Sequence, residues 1–182
     1  MFLSVLIVGI TISLLLFLLS MIWPPDSPWS PWWRTNGKVA RAMINLAEIT
    51  ESDTIYDLGC GDGTLLLTAA KLKKTRGVGL EIDPSRVFIA KVRTVVEGVG
   101  KLVVIKRKDL FSEDISKASV VVVYLVPKTL KKLESKFIEE LKPGTKVISY
   151  VYPINYLPLI NRDEKNQINL YKIPKSVSKK KH

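Results

Sequence analysis

"YDLGCGDG", Tyr56 to Gly63, sets three glycines and two carboxylates into eight positions directly after the β-favouring start Thr54 to Tyr56. A loop so bare of side chains lets a backbone come close to a ligand. Working outward, Thr54 to Leu58 reads as a buried strand and Thr64 to Lys73 as a helix. "GVGLEI", Gly77 to Ile82, is the next strand, and Asp83 with Pro84 supplies a cap and first turn for a helix through about Glu97. Leu102 to Lys106 and the β-branched run Ala118 to Val126 are further strands, the latter buried on both faces. Thr129 to Leu141 is a helix, "KPGTKVISYVY" a turn and strand, and Gln167 to Ile173 a final edge strand. Upstream, Thr35 or Asn36 caps a helix whose Val39, Ala40, Met43, Ile44 and Ala47 share one face. Strands alternating with helices predict an α/β fold: an open, doubly wound, mostly parallel sheet with an antiparallel edge strand.

The ends differ from this middle. Residues 1–33 hold one charge, Asp26, whereas Arg34 to His182 hold all 28 Lys and Arg against 16 acids, a balance of +12. Phe2 to Ile22 is free of charge and at about 1.5 Å per residue matches a bilayer core of about 30 Å. It lacks the basic start and small-residue exit of a cleaved signal peptide. "WPPDSPWSPWW" follows, with four tryptophans suited to a membrane interface and four prolines that end a helix. The expectation is a single-pass membrane anchor over 1–23, a linker over 24–34, a domain over 35–174 and a basic tail over 175–182. The basic domain after the anchor places it on the cytosolic side, and Lys179 to Lys181 suit an anionic membrane surface. The lone Cys60 forbids an intrachain disulfide. The only histidine, His182, makes histidine triads and metal sites improbable, so no metal is expected.

In such a sheet ligands bind beyond the carboxyl ends of strands, beside the first one. Gly59, Gly61 and Gly63 follow Asp57 as acid-x-Gly-x-Gly-x-Gly. A dinucleotide fingerprint would need its third glycine at 64, which is Thr64. Glu81 ends the second strand, where an acid accepts ribose hydroxyls, and Asp109 follows the third. Two acids and a glycine loop suit a nucleoside without phosphate. Each residue also has a plainer reading: Asp62 and Asp83 as helix caps, Gly63 as a helix start, Asp109 as a turn residue, Cys60 as packing.

Over about Thr35 to Ile173 the chain resembles the class I S-adenosylmethionine-dependent methyltransferases, "DLGCGDG" matching their cofactor loop, "GVGLEID" their ribose acid and "KRKDL" their adenine-side acid. The resemblance implies S-adenosyl-L-methionine as cofactor. Gly59, Gly61 and Gly63 would approach its methionine and ribose, Asp57 would order the loop, Glu81 would hold the ribose and Asp109 the adenine amino group. Asp62 would contact the cofactor or cap the helix.

The acceptor is narrowed by "YLVP", Tyr124 to Pro127, standing where nucleic-acid amino methyltransferases carry an N-P-P-Y type motif. "PWWRT", "EIDP", "DLF", "VVYLVP" and "LKPGTKVIS" resemble the small protein-lysine methyltransferases of archaea and of mitochondrial membranes. This implies a protein partner bearing the acceptor lysine, a cofactor contact for Thr35, and Tyr124 as a wall of the acceptor channel. Family members place Pro before the threonine, where this chain has Arg34. Thr35 read plainly is an N-cap, and Tyr124 a core aromatic. Competing readings are methylation of a membrane lipid or quinone, methylation of RNA, which the basic balance favours although no RNA-binding module is appended, and a non-catalytic scaffold.

Overall fold

The computed structural model describes residues 2–22 and 35–175. Chain order runs α1 (Phe2–Ile22), α2 (Gly37–Leu46), β1 (Thr54–Leu58), α3 (Thr64–Lys73), β2 (Arg76–Glu81), α4 (Pro84–Val96), β3 (Val103–Arg107), β4 (Val120–Val123), α5 (Pro127–Glu140), β5 (Lys146–Tyr150), β6 (Leu159–Asp163) and β7 (Ile168–Lys172). The strands form one sheet in the order β3-β2-β1-β4-β5-β7-β6. β1 pairs in parallel with β2 on one side and β4 on the other, and β7 runs antiparallel to both β5 and β6. The predicted Rossmann-like sheet is thus present. Its order reverses at β1, which puts the ligand crevice of such sheets at the end of that strand.

Two cores hold the sheet. On one face α2, α3 and α4 contribute Ala40, Met43, Ile44, Leu66, Ala69 and Ala90, with the predicted stripe of α2 turned inward. Asn36, rather than Thr35, caps that helix: its Oδ1 accepts from Val39 N at 2.9 Å. On the other face α5 buries Leu130, Leu133 and Phe137 against Leu58, Val121 and Val147, each such side chain contributing about 1.5–3 kcal/mol of hydrophobic free energy. All four valines of β4 are buried, as expected for a central parallel strand.

Three expectations need correction. The β-branched run yields a strand only over Val120–Val123, because Tyr124 to Val126 leave the sheet to enter α5, whose first residue is Pro127. Gln167 to Ile173 is not the edge: β7 has neighbours on both sides, and β6 is the edge strand. β6 escaped the sequence pattern because all its residues but Asp163 are exposed and because its register shifts between Leu159 and Asn161. The third correction is the membrane anchor with its cytosolic domain. Residues Phe2–Ile22 are helical, but no helix among the described residues is long and apolar enough to cross a membrane. The proline and tryptophan linker at 24–34 and the lysine tail, Lys179 to Lys181, lie outside the described residues.

Candidate active site

The glycine loop begins where β1 ends, and positive φ is built into it: +90° at Gly59, +55° at Gly61 and +77° at Gly63. Side-chain-bearing residues rarely adopt these angles. The loop's amides turn back on the protein. Gly59 N and Cys60 N both donate to Leu80 O, at 2.8 and 2.9 Å, and Gly63 N donates to Cys60 O at 2.9 Å. Gly61 N donates to Glu81 Oε2 at 2.9 Å. A phosphate-binding loop instead aims its amides at the anion. The pyrophosphate reading therefore fails on geometry as well as on spacing.

Glu81 is the hub. Its Oε1 also accepts from Ile82 N at 2.9 Å and Asp83 N at 3.0 Å. A carboxylate offers about four acceptor sites, so these three bonds leave room on Oε2. Glu81 and the Leu80 carbonyl tie the loop down; the resemblance implied an ordering role for Asp57. Asp57 lies buried between like charges. Burial first, then the Glu81 and Asp62 carboxylates, push its pKa up to about 7. Cys60 is buried and its thiol is pushed well up by burial and by Asp57 and Glu81, which suits packing and not nucleophilic attack.

One cavity gathers most of the predicted residues. Thr35, Asp57, Gly59, Gly61, Asp62, Glu81, Asp109 and Tyr124 all line it. Gly63 does not: a side chain there would meet Ala90, Leu67 and Ile105 at 3.6 to 3.8 Å, so its place is beneath α3 and α4. Asp62 Oδ1 accepts from Thr64 N and Thr64 Oγ1 at 3.2 and 2.7 Å, while Oδ2 pairs with Arg93 of α4 at 2.8 Å. It thus holds the start of α3 and lines the cavity too. Asp109 Oδ1 accepts from Phe111 N at 3.0 Å, a turn bond that leaves its other oxygen available. Asp83 caps α4 through Arg86 N at 2.9 Å.

Four acids against Arg86 and Lys108 give the lining a negative balance. That favours a cationic ligand and repels phosphate. The donor set and the bare backbone fit S-adenosylmethionine, which carries a sulfonium, an ammonium, ribose hydroxyls and an adenine amine. Met43, assigned to the core by the sequence and buried there, also lines the cavity, and sequence reasoning missed Arg86. A signal for Arg86 exists: a basic residue in the first turn of α4 opposes the helix dipole, and only local acids such as Glu81 and Asp83 favour it there.

Residues 57–159 match the family described as the ANTKMT methyltransferase domain. The chain is 38% identical over 135 residues to a protein-lysine N-methyltransferase of Saccharolobus islandicus, covering 74% of this chain and 82% of that one. It is 31% identical over 120 residues to the adenine nucleotide translocase lysine N-methyltransferase of Mus musculus, covering 65% of this chain and 52%, about half, of the mouse protein. Among solved structures, an RNA methyltransferase from Salinibacter ruber in complex with S-adenosyl-L-homocysteine superposes with a TM-score of 0.77 at 36% identity, covering 81% of this chain and 97% of that one.

Proposed function

This chain belongs to the ANTKMT methyltransferase domain family and is an S-adenosylmethionine-dependent methyltransferase, and from that premise we propose that its acceptor is the lysine side chain of a protein. The observation carrying this reading is Tyr124, an aromatic on the cavity at the exit of β4, in a chain whose Saccharolobus and mouse relatives are named as lysine methyltransferases. The domain that does this work spans 35–174.

When bound, the cofactor supplies a methyl group on a positively charged sulfur. Gly59 and Gly61 let it approach the backbone, Glu81 accepts from the ribose through its remaining site, and Asp109 accepts from the adenine amine. Asp57 places negative charge near the cationic end, while Thr35 and Asp62 complete the wall. Gly63 serves the turn into α3. A lysine with pKa about 10.4 is about 3.4 units from neutrality, so presenting its neutral amine costs about 4.6 kcal/mol. Desolvation against Tyr124 lowers that cost, and alignment supplies much of the remaining acceleration. No histidine base is needed.

RNA is the second reading, favoured by the net charge of +11 and by the name of the Salinibacter structure. Incubating the protein with methyl-labelled S-adenosylmethionine and separated protein, lipid and RNA fractions distinguishes the readings. Label recovered as methyl-lysine after acid hydrolysis is the expected result. Label confined to RNA or lipid would overturn it.

A further inference from the structure

At the carboxyl end of β5 the backbone does something costly. Tyr152 N donates to Tyr150 O at 2.8 Å, and Val151 between them holds φ +67°. A bond of this span around such an angle is the rare, strained form of the γ-turn, and a β-branched residue at its centre is an outlier. Such strain persists only where the surroundings over-determine it. Here they do. Val151 N donates to Gln167 O at 2.8 Å, and the fully buried Ser149 donates its hydroxyl to Tyr152 O at 2.5 Å.

The turn sends its two tyrosines apart, Tyr150 against the core under α2 and Tyr152 against the core under α5. The Tyr150 ring then meets Tyr124 with centroids 4.5 Å apart and planes at 63°. Tyr124 lines the cofactor cavity. Burial and the neighbouring Tyr150 and Tyr152 push its hydroxyl pKa up, keeping it neutral.

We propose that Tyr150 is a positioning residue for acceptor specificity: it packs against Tyr124, which lines the cavity, and so sets the aromatic recess that receives the acceptor amine, its own ring held by the strained turn at Val151. The inference rests on lysine being the acceptor. An aromatic wall desolvates the amine and so favours its neutral, nucleophilic form over the ammonium, and the same ring faces repel a carboxylate. The recess therefore selects an amine on a slender aliphatic stem and strips its water.

The test uses the full chain, methyl-labelled S-adenosylmethionine and a mixed protein extract, with methyl-lysine counted after hydrolysis. Tyr150→Leu should lower the rate at least tenfold while affinity for S-adenosylhomocysteine, read by calorimetry, stays within twofold. Tyr150→Phe should restore most of the rate, since the ring carries the effect. Val151→Gly should melt at a higher temperature yet transfer several-fold more slowly, a combination that lost folding cannot produce. An undiminished rate in Tyr150→Leu or Val151→Gly, or a Tyr150→Phe as slow as Tyr150→Leu, would overturn the recess. If the unaltered protein yields no methyl-lysine, the lysine reading itself falls, and the recess with it.

Discussion

Asp57 keeps its proton to about pH 7 because burial and the Glu81 and Asp62 charges disfavour the carboxylate. An unfolded chain releases that proton near the ordinary value of 3.8, so between the two values the folded state binds more protons. Asp57 therefore contributes stability to the cofactor-free protein that is lost as pH rises from about 4 to about 7. Melting temperatures across that range check it, and Asp57→Asn should flatten the trend. A cationic ligand favours the carboxylate, so binding S-adenosylmethionine at pH 7 should release a fraction of a proton, visible as a buffer-dependent heat that Asp57→Asn abolishes. Glu81→Ala should weaken the cofactor by about 1.5–3 kcal/mol and also loosen the loop, since Gly61 N loses its acceptor. Gly61→Val adds branched atoms at φ +55° and should weaken it further. Calorimetry returning unaltered affinity in both folded variants would move the site elsewhere.

At the scale of elements, β2 carries two glycines because α3 and the loop press on it. A Cβ at Gly79 would lie 2.6 Å from Cys60 Sγ and 2.8 Å from Ile105 Cδ1, and one at Gly77 would lie 2.8 Å from Leu66 Cδ2. Gly79→Ala should destabilise the protein by about 1–3 kcal/mol, and adding Cys60→Ala should recover part of that loss, a coupling that denaturant titration of the double-mutant cycle reads out. Such close approach is visible in sequence as glycine inside a strand. The elements framing the site were legible for similar reasons: Thr54–Leu58 and Thr64–Lys73 are bounded by the glycine loop, and Asp83 with Pro84 marks the start of α4. What periodicity could not show was β6, whose side chains bury almost nothing, or the γ-turn at Val151, which no composition announces. Glu81's bonds to the loop and the pairing of Tyr150 with Tyr124 are likewise tertiary facts, joining residues tens of positions apart.

Across the whole molecule, a body of net charge +11 surrounds a cleft with an acidic lining. The distant charges repel a cationic cofactor while the nearby carboxylates attract it. Salt shortens the screening length from about 10 Å at 0.1 M to about 3 Å at 1 M, suppressing the distant repulsion more than the contacts within the cleft. S-adenosylmethionine affinity should therefore hold or improve with added salt, against the usual trend for opposite charges, and a steady loss of affinity in salt titrations would contradict this. Among the described residues the sheet ends in two open rims, β3 and β6. An unpaired strand edge is a template on which a second copy can stack and begin a fibre. β6 is spoiled for that use: its register slips around Ile160 before Arg162 and Asp163, and the opposite rim finishes on Lys106 and Arg107. The irregularity that hid β6 from the sequence pattern is thus also a guard on solubility, keeping crowded copies of the protein from polymerising rim to rim.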